Sequence, residues 1–301
     1  MNRRDLFRLS SAMGLAATLP AVAGARPQSS PTSPAPAAPP LQPPASGSIP
    51  VAFLLSDNAV VIDFAGPWEV FSNVSIAGRD APPVFQLYTV AATAAPITAS
   101  GGMTIVPNYT FANAPAPKVI VIPAQSAREP AVMDWIREAS RTADLTMSVC
   151  TGAFVLARTG LLAGKSATTH HGSFNEFAMQ FPDVALKRGA RFVEEGRLAS
   201  AGGLSSGIDL ALRVVERYFG RAAARNTANA MEYQGQGWLD PMSNNAYAKR
   251  RKSTEQQPVC PVCEMDVDLG TPLTSLYRKR KYYFCMQGHK TLFDANPANF
   301  T

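Results

Sequence analysis

Leu145-Thr146-Met147-Ser148-Val149-Cys150-Thr151-Gly152-Ala153-Phe154-Val155-Leu156 is the stretch that decides the fold of this chain. Its first five residues are typical of a buried strand, and the apolar run over 152–162 predicts a helix. Cys150 stands at the corner between the two. A strand that turns directly into a helix, with a nucleophilic side chain at the turn, is the geometry of a nucleophile elbow. We therefore predict that Cys150 projects into a cleft.

Strands and helices alternate on both sides of this corner. Expected strands cover 50–55, 84–91, 118–122, 145–149, 191–193 and 198–201, and expected helices begin near Asp63 and cover 130–141, 152–162, 206–219 and 222–232. This alternation predicts an α/β domain over residues 49–240, with a doubly wound, mostly parallel sheet and helices on both faces. Sites in such sheets lie at the carboxyl ends of the strands, where Cys150 falls.

Composition and charge suit a large globular domain followed by a small one. The chain has 301 residues, of which 46% are hydrophobic and 17% charged. The net charge of +6 depends on two basic tracts, Lys249–Lys252 and Arg278–Lys281, each of four residues. A nucleic-acid-binding face needs basic residues throughout one element. We therefore interpret the tracts as solvated surface charge and expect no nucleic-acid partner.

The N-terminus has the layout of an export signal. Arg3 and Arg4 precede a short apolar stretch, and the small residues at 21–25 offer a cleavage site, so residues 1–25 are predicted to be a twin-arginine signal peptide. Residues 26–48, rich in Pro, Ser and Ala, are expected to form an extended linker. The apolar stretch is too short for a permanent membrane span. A periplasmic or secreted protein is expected.

The position of Cys150 gives it a chemical use. The N-terminus of the following helix presents free N–H groups and a positive dipole end, which are expected to lower the thiol pKa. The N–H groups of Thr151 and Gly152 are candidates to stabilise a developing anion. The alternative is a buried structural cysteine, the usual role of an isolated cysteine.

Two acid–base candidates accompany the thiol. Asp63 follows the first strand and is predicted to reach Cys150 across the shared rim of the sheet, where it would act as a general acid. Its alternative role is an N-cap before Phe64. His170 and His171 follow a short extended segment, and either one of them lines the cleft as a base or both cap the helix expected near Ser173.

The C-terminal residues 257–301, which follow a basic linker over 241–256, contain a metal-binding pattern. Cys260 and Cys263 are three apart, and Cys285 and His289 are one helical turn apart. Three cysteines and one histidine form a common structural zinc set, and about 45 residues are too few to fold comfortably without such support. We predict a small metal-stabilised α+β module. A disulfide between two of the cysteines is the alternative.

The main domain resembles the ThiJ/PfpI superfamily, whose fold is flavodoxin-like and related to class I glutamine amidotransferases. The motifs are Asp63-x-x-Gly66-Pro67-x-Glu69-Val70-Phe71, Val149-Cys150-Thr151-Gly152-Ala153, Gly160-Leu161-Leu162-x-Gly164-x-x-Ala167-Thr168-Thr169-His170 and Ala201-Gly202-Gly203-x-Ser205-x-Gly207-Ile208-Asp209-Leu210-Ala211-Leu212. They are most similar to the isonitrile-hydratase branch. The resemblance implies that Cys150 attacks the isonitrile carbon, that Asp63 supplies a proton, and that Thr151 belongs to the site. It also leads us to expect a homodimer.

The chain departs from this superfamily pattern after the strand 119–123. Relatives carry Gly-Gly there, whereas this chain has Ala124-Gln125. Glycines let a backbone N–H turn toward the nucleophile, so the substitution puts the oxyanion site in question. Gln125 is an alternative source of a cleft amide.

The C-terminal module resembles the YHS domain, through Cys260-Pro261-x-Cys263-x-Met265, Tyr282-Tyr283-Phe284-Cys285 and Phe293-x-x-Asn296-Pro297. Domains of this kind accompany heavy-metal transport and sensing proteins. His289 stands where many members have a fourth cysteine, which keeps zinc ahead of the softer copper(I) as the expected ion.

Three hypotheses about function follow. The first is an exported cysteine hydratase or hydrolase that adds water to a small electrophilic carbon through a thioimidate-type intermediate, with no cofactor needed for the thiol chemistry. The second is a glyoxalase- or deglycase-like enzyme, as in other branches of the superfamily. The third is a periplasmic metal-binding or redox-sensing protein without turnover.

Overall fold

The computed structural model describes residues 38–79, 83–270 and 273–301. Residues 38–301 form one compact unit. The expected signal peptide, residues 1–25, and residues 26–37 of the expected linker lie outside the described residues. Of the linker, residues 38–48 contain no regular secondary structure. They follow the surface of the domain, where the Leu41 N–H donates to the Arg217 carbonyl oxygen at 2.8 Å.

A seven-stranded sheet forms the centre of the molecule. The strands before the C-terminal module are β1 (Ile49–Leu54), β2 (Phe85–Ala91), β3 (Ile97–Thr98), β4 (Thr104–Ile105), β5 (Tyr109–Thr110), β6 (Val119–Ile122), β7 (Leu145–Val149), β8 (Ser166–Ala167), β9 (Ala185–Leu186), β10 (Phe192–Glu195) and β11 (Leu198–Ala201). The central sheet has the order β10-β11-β7-β6-β1-β2-β5. Every pair in it is parallel except β10 with β11. β3 pairs with β4, and β8 with β9.

Helices cover both faces of this sheet. They are α1 (Val61–Ser72), α2 (Pro130–Thr142), α3 (Gly152–Arg158), α4 (Phe174–Gln180), α5 (Ser206–Phe219) and α6 (Arg221–Ala230). Successive residues of β1 alternate between two separate cores, because side chains along a strand point to opposite faces. Val51 and Phe53 pack with α1, α5 and α6, whereas Ala52 and Leu54 pack with α2, α3 and α4. The predicted doubly wound, mostly parallel architecture is confirmed.

Several details differ from the expectations. The helix predicted to reach Leu162 ends at Arg158, because Gly160 adopts φ +81° and turns the chain away. Short elements were also missed, namely the β3–β4 hairpin and the β8–β9 pair, whereas the helix expected near Ser173 is present as α4. Segments of two residues carry no detectable period, so pattern reasoning cannot find them.

The C-terminal module has its own small core. It contains β12 (Leu273–Tyr277) and β13 (Arg280–Phe284), which form an antiparallel hairpin, and helix α7 (Gln287–Ala295). The buried residues of this core are Cys260, Val262, Cys263, Val267, Phe284, Phe293 and Phe300. Two cysteines thus lie inside a core of few side chains, which agrees with the expectation of metal support.

Residues 241–256 pack on the main domain. A short 3₁₀ turn covers Asn245–Tyr247, and Arg188 donates to the Ala248 carbonyl oxygen at 3.3 Å. All eight residues of the two basic tracts are exposed, as expected for solvated charge. Within the described ranges, we find no helix with the length and apolarity needed to cross a membrane.

Candidate functional site

Cys150 lies at the end of β7, one residue before the N-cap of α3. Its φ is +58°, a left-handed conformation that is unusual for a residue with a side chain. Hydrogen bonds hold it there: its N–H donates to the Gly202 carbonyl oxygen at 2.8 Å, and its own carbonyl accepts from the Thr169 hydroxyl at 2.9 Å. The strained turn at a strand end is the elbow that the sequence predicted.

Gly152 permits the elbow to sit close to the neighbouring strand. A Cβ at this position would lie 2.2 Å from the carbonyl oxygen of Ile122 and 2.8 Å from that of Pro123. Both atoms are backbone at the end of β6, so they cannot move aside cheaply. The glycine of the Cys-Thr-Gly motif is therefore required for close packing at the start of α3.

Asp63 places a buried carboxyl beside the thiol. It is the third residue of α1, which has Val60 at its N-cap, so the alternative role of Asp63 as an N-cap is wrong. The side chain is completely buried, and its Oδ2 accepts from the Ala124 N–H at 3.1 Å. Oδ1 has no well-aligned hydrogen-bond partner among the described residues.

The Asp63 carboxyl and the Cys150 thiol interact directly, although the resting contact is not a well-aligned hydrogen bond. Catalytic contacts are often loose until substrate binds. Burial raises the pKa of Asp63 to about 6, against the lowering effect of the Ala124 N–H and the thiol. A carboxyl with this pKa can exchange a proton near neutral pH.

The thiol pKa differs from the prediction. Burial, followed by the nearby Asp63 charge, raises the pKa of Cys150 to about 12. The N–H groups of Thr151 and Leu204 act in the opposite direction but do not prevail. The expectation that the helix N-terminus leaves a low-pKa thiol is therefore wrong, because α3 is only seven residues long and the site is 7% exposed. At neutral pH the Asp63–Cys150 pair therefore carries a single proton, which is on the sulfur, while the carboxyl is largely ionised.

Leu204 is a site residue that the sequence analysis missed. Its N–H, together with that of Thr151, lowers the pKa of the Cys150 thiol, and its φ of +40° is unusual for a leucine. The signal in the sequence that could have pointed to Leu204 is the Gly202-Gly203 pair directly before it, which belongs to one of the superfamily motifs. The expected donor Gly152 has no such contact with the sulfur among those described.

His170 and His171 line the turn before α4. The Nδ1 of His170 accepts from the Gly172 N–H at 3.1 Å, so His170 caps a short 3₁₀ turn. Its ring presses on Gly203, where a Cβ would lie 2.4 Å from the ring's Cδ2. The His171 ring stacks on Tyr247 with centroids 4.2 Å apart. The capping alternative fits His170, which stands beside the Gly203–Leu204 turn.

Ala124 and Gln125 occupy the loop where an oxyanion donor was in question. The Ala124 N–H is engaged by Asp63. The Gln125 side-chain amide donates to the Leu54 carbonyl oxygen at 3.1 Å, while its Oε1 is buried without a protein partner among the described residues. The Ala124 N–H is therefore not free to bind a developing oxyanion, and the Gln125 amide has one of its two donors engaged.

The four predicted metal ligands converge in the C-terminal module. The donor atoms of Cys260, Cys263, Cys285 and His289 lie within 4.8 Å of one another. The Cys263 and Cys285 sulfurs are 3.5 Å apart, and the Cys260 sulfur is 3.7 Å from Nδ1 of His289. Tetrahedral zinc with sulfur ligands at 2.3 Å requires sulfurs about 3.8 Å apart, so the set fits. All four cysteines of the chain are free.

Hydrogen bonds within this cluster prepare a thiolate. The Cys263 side chain, followed by His289 and backbone N–H groups, lowers the pKa of Cys260 well below its ordinary value, against the effect of burial. A thiolate is the form that binds metal. These four residues could hold a metal ion. A set of three cysteines and one histidine is a common set of ligands for structural zinc.

Fold and thiol site together define the class of protein: a flavodoxin-like α/β protein with a cysteine at a nucleophile elbow and a buried acid beside it. The family model of the DJ-1/PfpI family matches residues 50–217. The chain belongs to the DJ-1/PfpI family. This confirms the resemblance of the main domain to the ThiJ/PfpI superfamily.

Individual relatives include an enzyme and regulators. The chain is 31% identical to isonitrile hydratase of Pseudomonas putida over 188 residues, which cover 61% of this chain and 78% of that protein. It is 26% identical to the HTH-type transcriptional regulator CdhR of Pseudomonas aeruginosa over 261 residues, covering 82% of this chain and 75% of that one.

Solved structures support the fold. A ThiJ/PfpI family protein from Pseudomonas syringae superposes with a TM-score of 0.56 at 24% identity, covering 64% of this chain and 77% of that one. DJ-1beta of Drosophila melanogaster gives a TM-score of 0.52 at 18% identity, covering 63% of this chain and all of that one.

Proposed function

We propose that this protein is an exported cysteine-nucleophile hydratase that adds water to an isonitrile or a similarly small electrophilic carbon. The observation that carries the proposal is the pairing of Cys150, at the elbow, with the buried carboxyl of Asp63. The 31% identity to isonitrile hydratase supports the same chemistry.

The first step joins the sulfur to the substrate. At neutral pH the thiol keeps its proton and Asp63 is largely ionised, because their pKa values are about 12 and about 6. As the isonitrile carbon approaches, Asp63 takes the thiol proton, the sulfur–carbon bond forms, and the proton passes to that carbon. The N–H groups of Thr151 and Leu204 stabilise the negative charge on sulfur during transfer. The product is a thioimidate on Cys150.

The second step releases the product. The Asp63 carboxylate removes a proton from water as the water oxygen attacks the thioimidate carbon, and the substrate nitrogen gains a proton. The carbon–sulfur bond then breaks and the sulfur recovers its proton. An N-substituted formamide leaves. In sum, one isonitrile and one water give one N-substituted formamide, and the enzyme returns to its starting state.

The loop at Ala124 favours an isonitrile over a carbonyl substrate. Attack on a carbonyl places charge on oxygen and is helped by an N–H donor beside that oxygen, and the Ala124 N–H, which could have served from this loop, is occupied by Asp63. Attack on an isonitrile places the electron pair on carbon, where an acid suffices. Cys150 is also only 7% exposed, which suits a slim terminal carbon. The glyoxalase- or deglycase-like alternative is less well supported for these reasons.

A second candidate function is a sensing or metal-binding role without turnover. Several relatives are transcriptional regulators, which favours ligand binding by this fold. Sensing of peroxide by Cys150 is disfavoured, because redox-sensor cysteines have low pKa values and solvent access, and this thiol has neither.

The C-terminal module is proposed to be a YHS-type domain with zinc held by Cys260, Cys263, Cys285 and His289. Its small core and converging ligands support this. Bound zinc would crosslink the module and so stabilise its fold. The twin-arginine leader supports export of the folded protein, which is how a metal-loaded protein would reach the periplasm.

The test is turnover of a simple aryl isonitrile, followed by chromatography of the formamide. Wild-type protein, Cys150→Ser and Asp63→Asn are compared with Arg197→Gln, an exposed position just before β11, near the end of β7 opposite to Cys150. We expect both site variants to lose at least a hundredfold in kcat/KM and the control to retain it. Wild-type protein with a free thiol and no formamide above background would refute the hydratase, and would favour the second candidate.

A further inference from the structure

Cys260–Glu264, the tight turn that carries two of the metal ligands and is called the knuckle below, is docked on the main domain. Asn175 of α4 donates from its side-chain amide to the carbonyl oxygens of Pro261, at 3.2 Å, and Val262, at 3.1 Å. Asn175 is only 7% exposed. A buried amide that satisfies two knuckle carbonyls fixes the turn in one position, because losing it leaves polar groups unpaired.

An ion pair holds the other end of the knuckle. Arg188 donates to both carboxylate oxygens of Glu264, at 2.8 and 2.9 Å. The guanidinium also lies 4.8 Å above the ring of Phe174, and Glu264 is 8% exposed with φ +61°. Both contacts come from one guanidinium nitrogen, Nη2, and a charge-assisted contact between two largely buried side chains suits the pair to positioning.

The surface on which the knuckle rests leads directly to the thiol. Gly172 separates the two: a Cβ there would lie 3.5 Å from the Cys263 carbonyl oxygen and 3.2 Å from Nδ1 of His170. The His170 ring in turn presses on Gly203. Gly203 lies between Gly202, whose carbonyl oxygen accepts from the Cys150 N–H at 2.8 Å, and Leu204, whose N–H lowers the pKa of the Cys150 thiol.

Leu204 needs this support from outside. A leucine at φ +40° is strained and keeps that conformation only when its surroundings impose it. The His170 ring is the neighbour that packs on the turn from the side of the C-terminal module. If the knuckle leaves, the 170–172 turn loses its backing, and the Leu204 N–H is free to turn away from sulfur.

We propose that the docked knuckle is part of the thiol site, and that Asn175 and Arg188 are positioning residues that hold the Leu204 N–H at Cys150. For the reaction itself, the inference rests on the hydratase proposed above. Cys260 and Cys263 would hold the proposed metal together with Cys285 and His289, so a bound ion would tie the knuckle to the rest of its module. Removal of the ion would then loosen the knuckle where it rests on Asn175 and Arg188.

The experiment has two readouts: the alkylation of Cys150, which needs no substrate, and the turnover of the aryl isonitrile. Iodoacetamide labelling of Cys150 is followed by peptide mass spectrometry across pH in the zinc-loaded full chain, and kcat and KM are measured with the aryl isonitrile. The variants are Asn175→Asp, which keeps the size but removes both amide donors, and Arg188→Gln. Arg188→Lys is the conservative variant. Arg197→Gln is the control. It also removes a donor to a backbone carbonyl, that of Arg141 at 2.8 Å, but near the end of β7 opposite to Cys150.

In Asn175→Asp and Arg188→Gln, we expect the labelling profile to move to higher pH, since sulfur loses a donor that stabilises its anion. We expect kcat to fall about tenfold while KM stays within twofold. Arg188→Lys should recover part of both, and chelation of wild-type protein should give the same shift in labelling. A merely structural role would lower the melting temperature without moving the labelling pH or separating kcat from KM.

Failure of the hydratase proposal and failure of the positioning inference give different results. If labelling shifts in folded variants but wild-type protein makes no formamide, the positioning inference stands and the hydratase is wrong. If either folded variant labels at the same pH as wild type and Arg197→Gln, the positioning inference is overturned, whatever the turnover. Folding of each variant is checked by circular dichroism before labelling.

Discussion

Asp63→Asn tests the reasoning about the buried carboxyl, because it should make the protein more stable while it removes activity. The carboxylate is completely buried beside a thiol, and no cation pairs with it among the described residues. An amide keeps the shape and can still accept from the Ala124 N–H, which now donates to Oδ2. The variant therefore removes a poorly solvated charge without leaving a cavity.

The magnitude follows from the pKa of Asp63, which burial raises from 3.8 to about 6. Well below pH 3.8 the side chain is protonated in both folded and unfolded chains and costs nothing. Between pH 4 and 6 the unfolded chain loses the proton while the folded chain keeps it, so the wild-type protein loses stability as pH rises. Above pH 6 the penalty is constant at about 3 kcal/mol.

The assay is urea denaturation of wild type and Asp63→Asn from pH 4 to pH 8. We expect nearly equal stability at pH 4 and an advantage of about 3 kcal/mol for the variant at pH 7, or roughly 6–12 °C in melting temperature. Other titrating groups are common to both proteins and cancel in the difference.

Asp209→Asn is the matched control. Asp209 is equally buried but pairs with Arg191, whose Nε donates to it at 2.6 Å. Its removal leaves the arginine uncompensated and should destabilise by about 3–5 kcal/mol. An Asp63→Asn variant that is less stable than wild type, or whose advantage does not change with pH, would refute the assignment of a strained, unpaired carboxyl.

Three further predictions follow from the same structure. First, kcat/KM should rise with pH through about 6 and stay level above it, since the Asp63 carboxylate is the required form; a pH–rate profile without that inflection would contradict the role. Second, Gly152→Ala should cost at least about 2 kcal/mol in urea denaturation, because its Cβ meets backbone at 2.2 Å, whereas Gly288→Ala, with open space around it, should not. Third, Cys285→Ser or chelation should expose buried Cys260 to rapid alkylation; continued protection would count against the metal site.

The sequence was informative about the fold where elements are long and strongly periodic. Strand β1 reads as a continuous apolar run because it is buried on both faces, and it was predicted to within a residue. Hairpin β3–β4 has two residues per strand and is fixed by tertiary contacts, which leave no local pattern. The end of α3 at Arg158 was predicted four residues too late, because Gly160, with φ +81°, outweighs the apolar run that continues to Leu162.

The candidate site was predictable in its residues but not in its electrostatics. Cys150 and Asp63 follow from strand ends and motif spacing, and the structure brings them together. The thiol pKa was predicted with the wrong sign, because the depth of burial and the length of α3 are tertiary properties. Leu204 was missed because it acts through its backbone N–H, which every residue except proline has, so its residue type gives no signal. The docking of Asn175 on the knuckle joins residues about 90 apart, which no local pattern reveals.

The central claim is that Cys150 forms a covalent bond to the substrate carbon with Asp63 as its proton partner. The most direct measurement is peptide mass spectrometry of protein mixed with an aryl isonitrile and quenched in acid within the first turnover. We predict that the Cys150 peptide gains the full mass of the isonitrile, because the thiol adds whole across the carbon, and that this adduct decays as formamide appears. Formamide produced at the wild-type rate by Cys150→Ser, with no adduct on any peptide of the wild-type protein, would contradict the account.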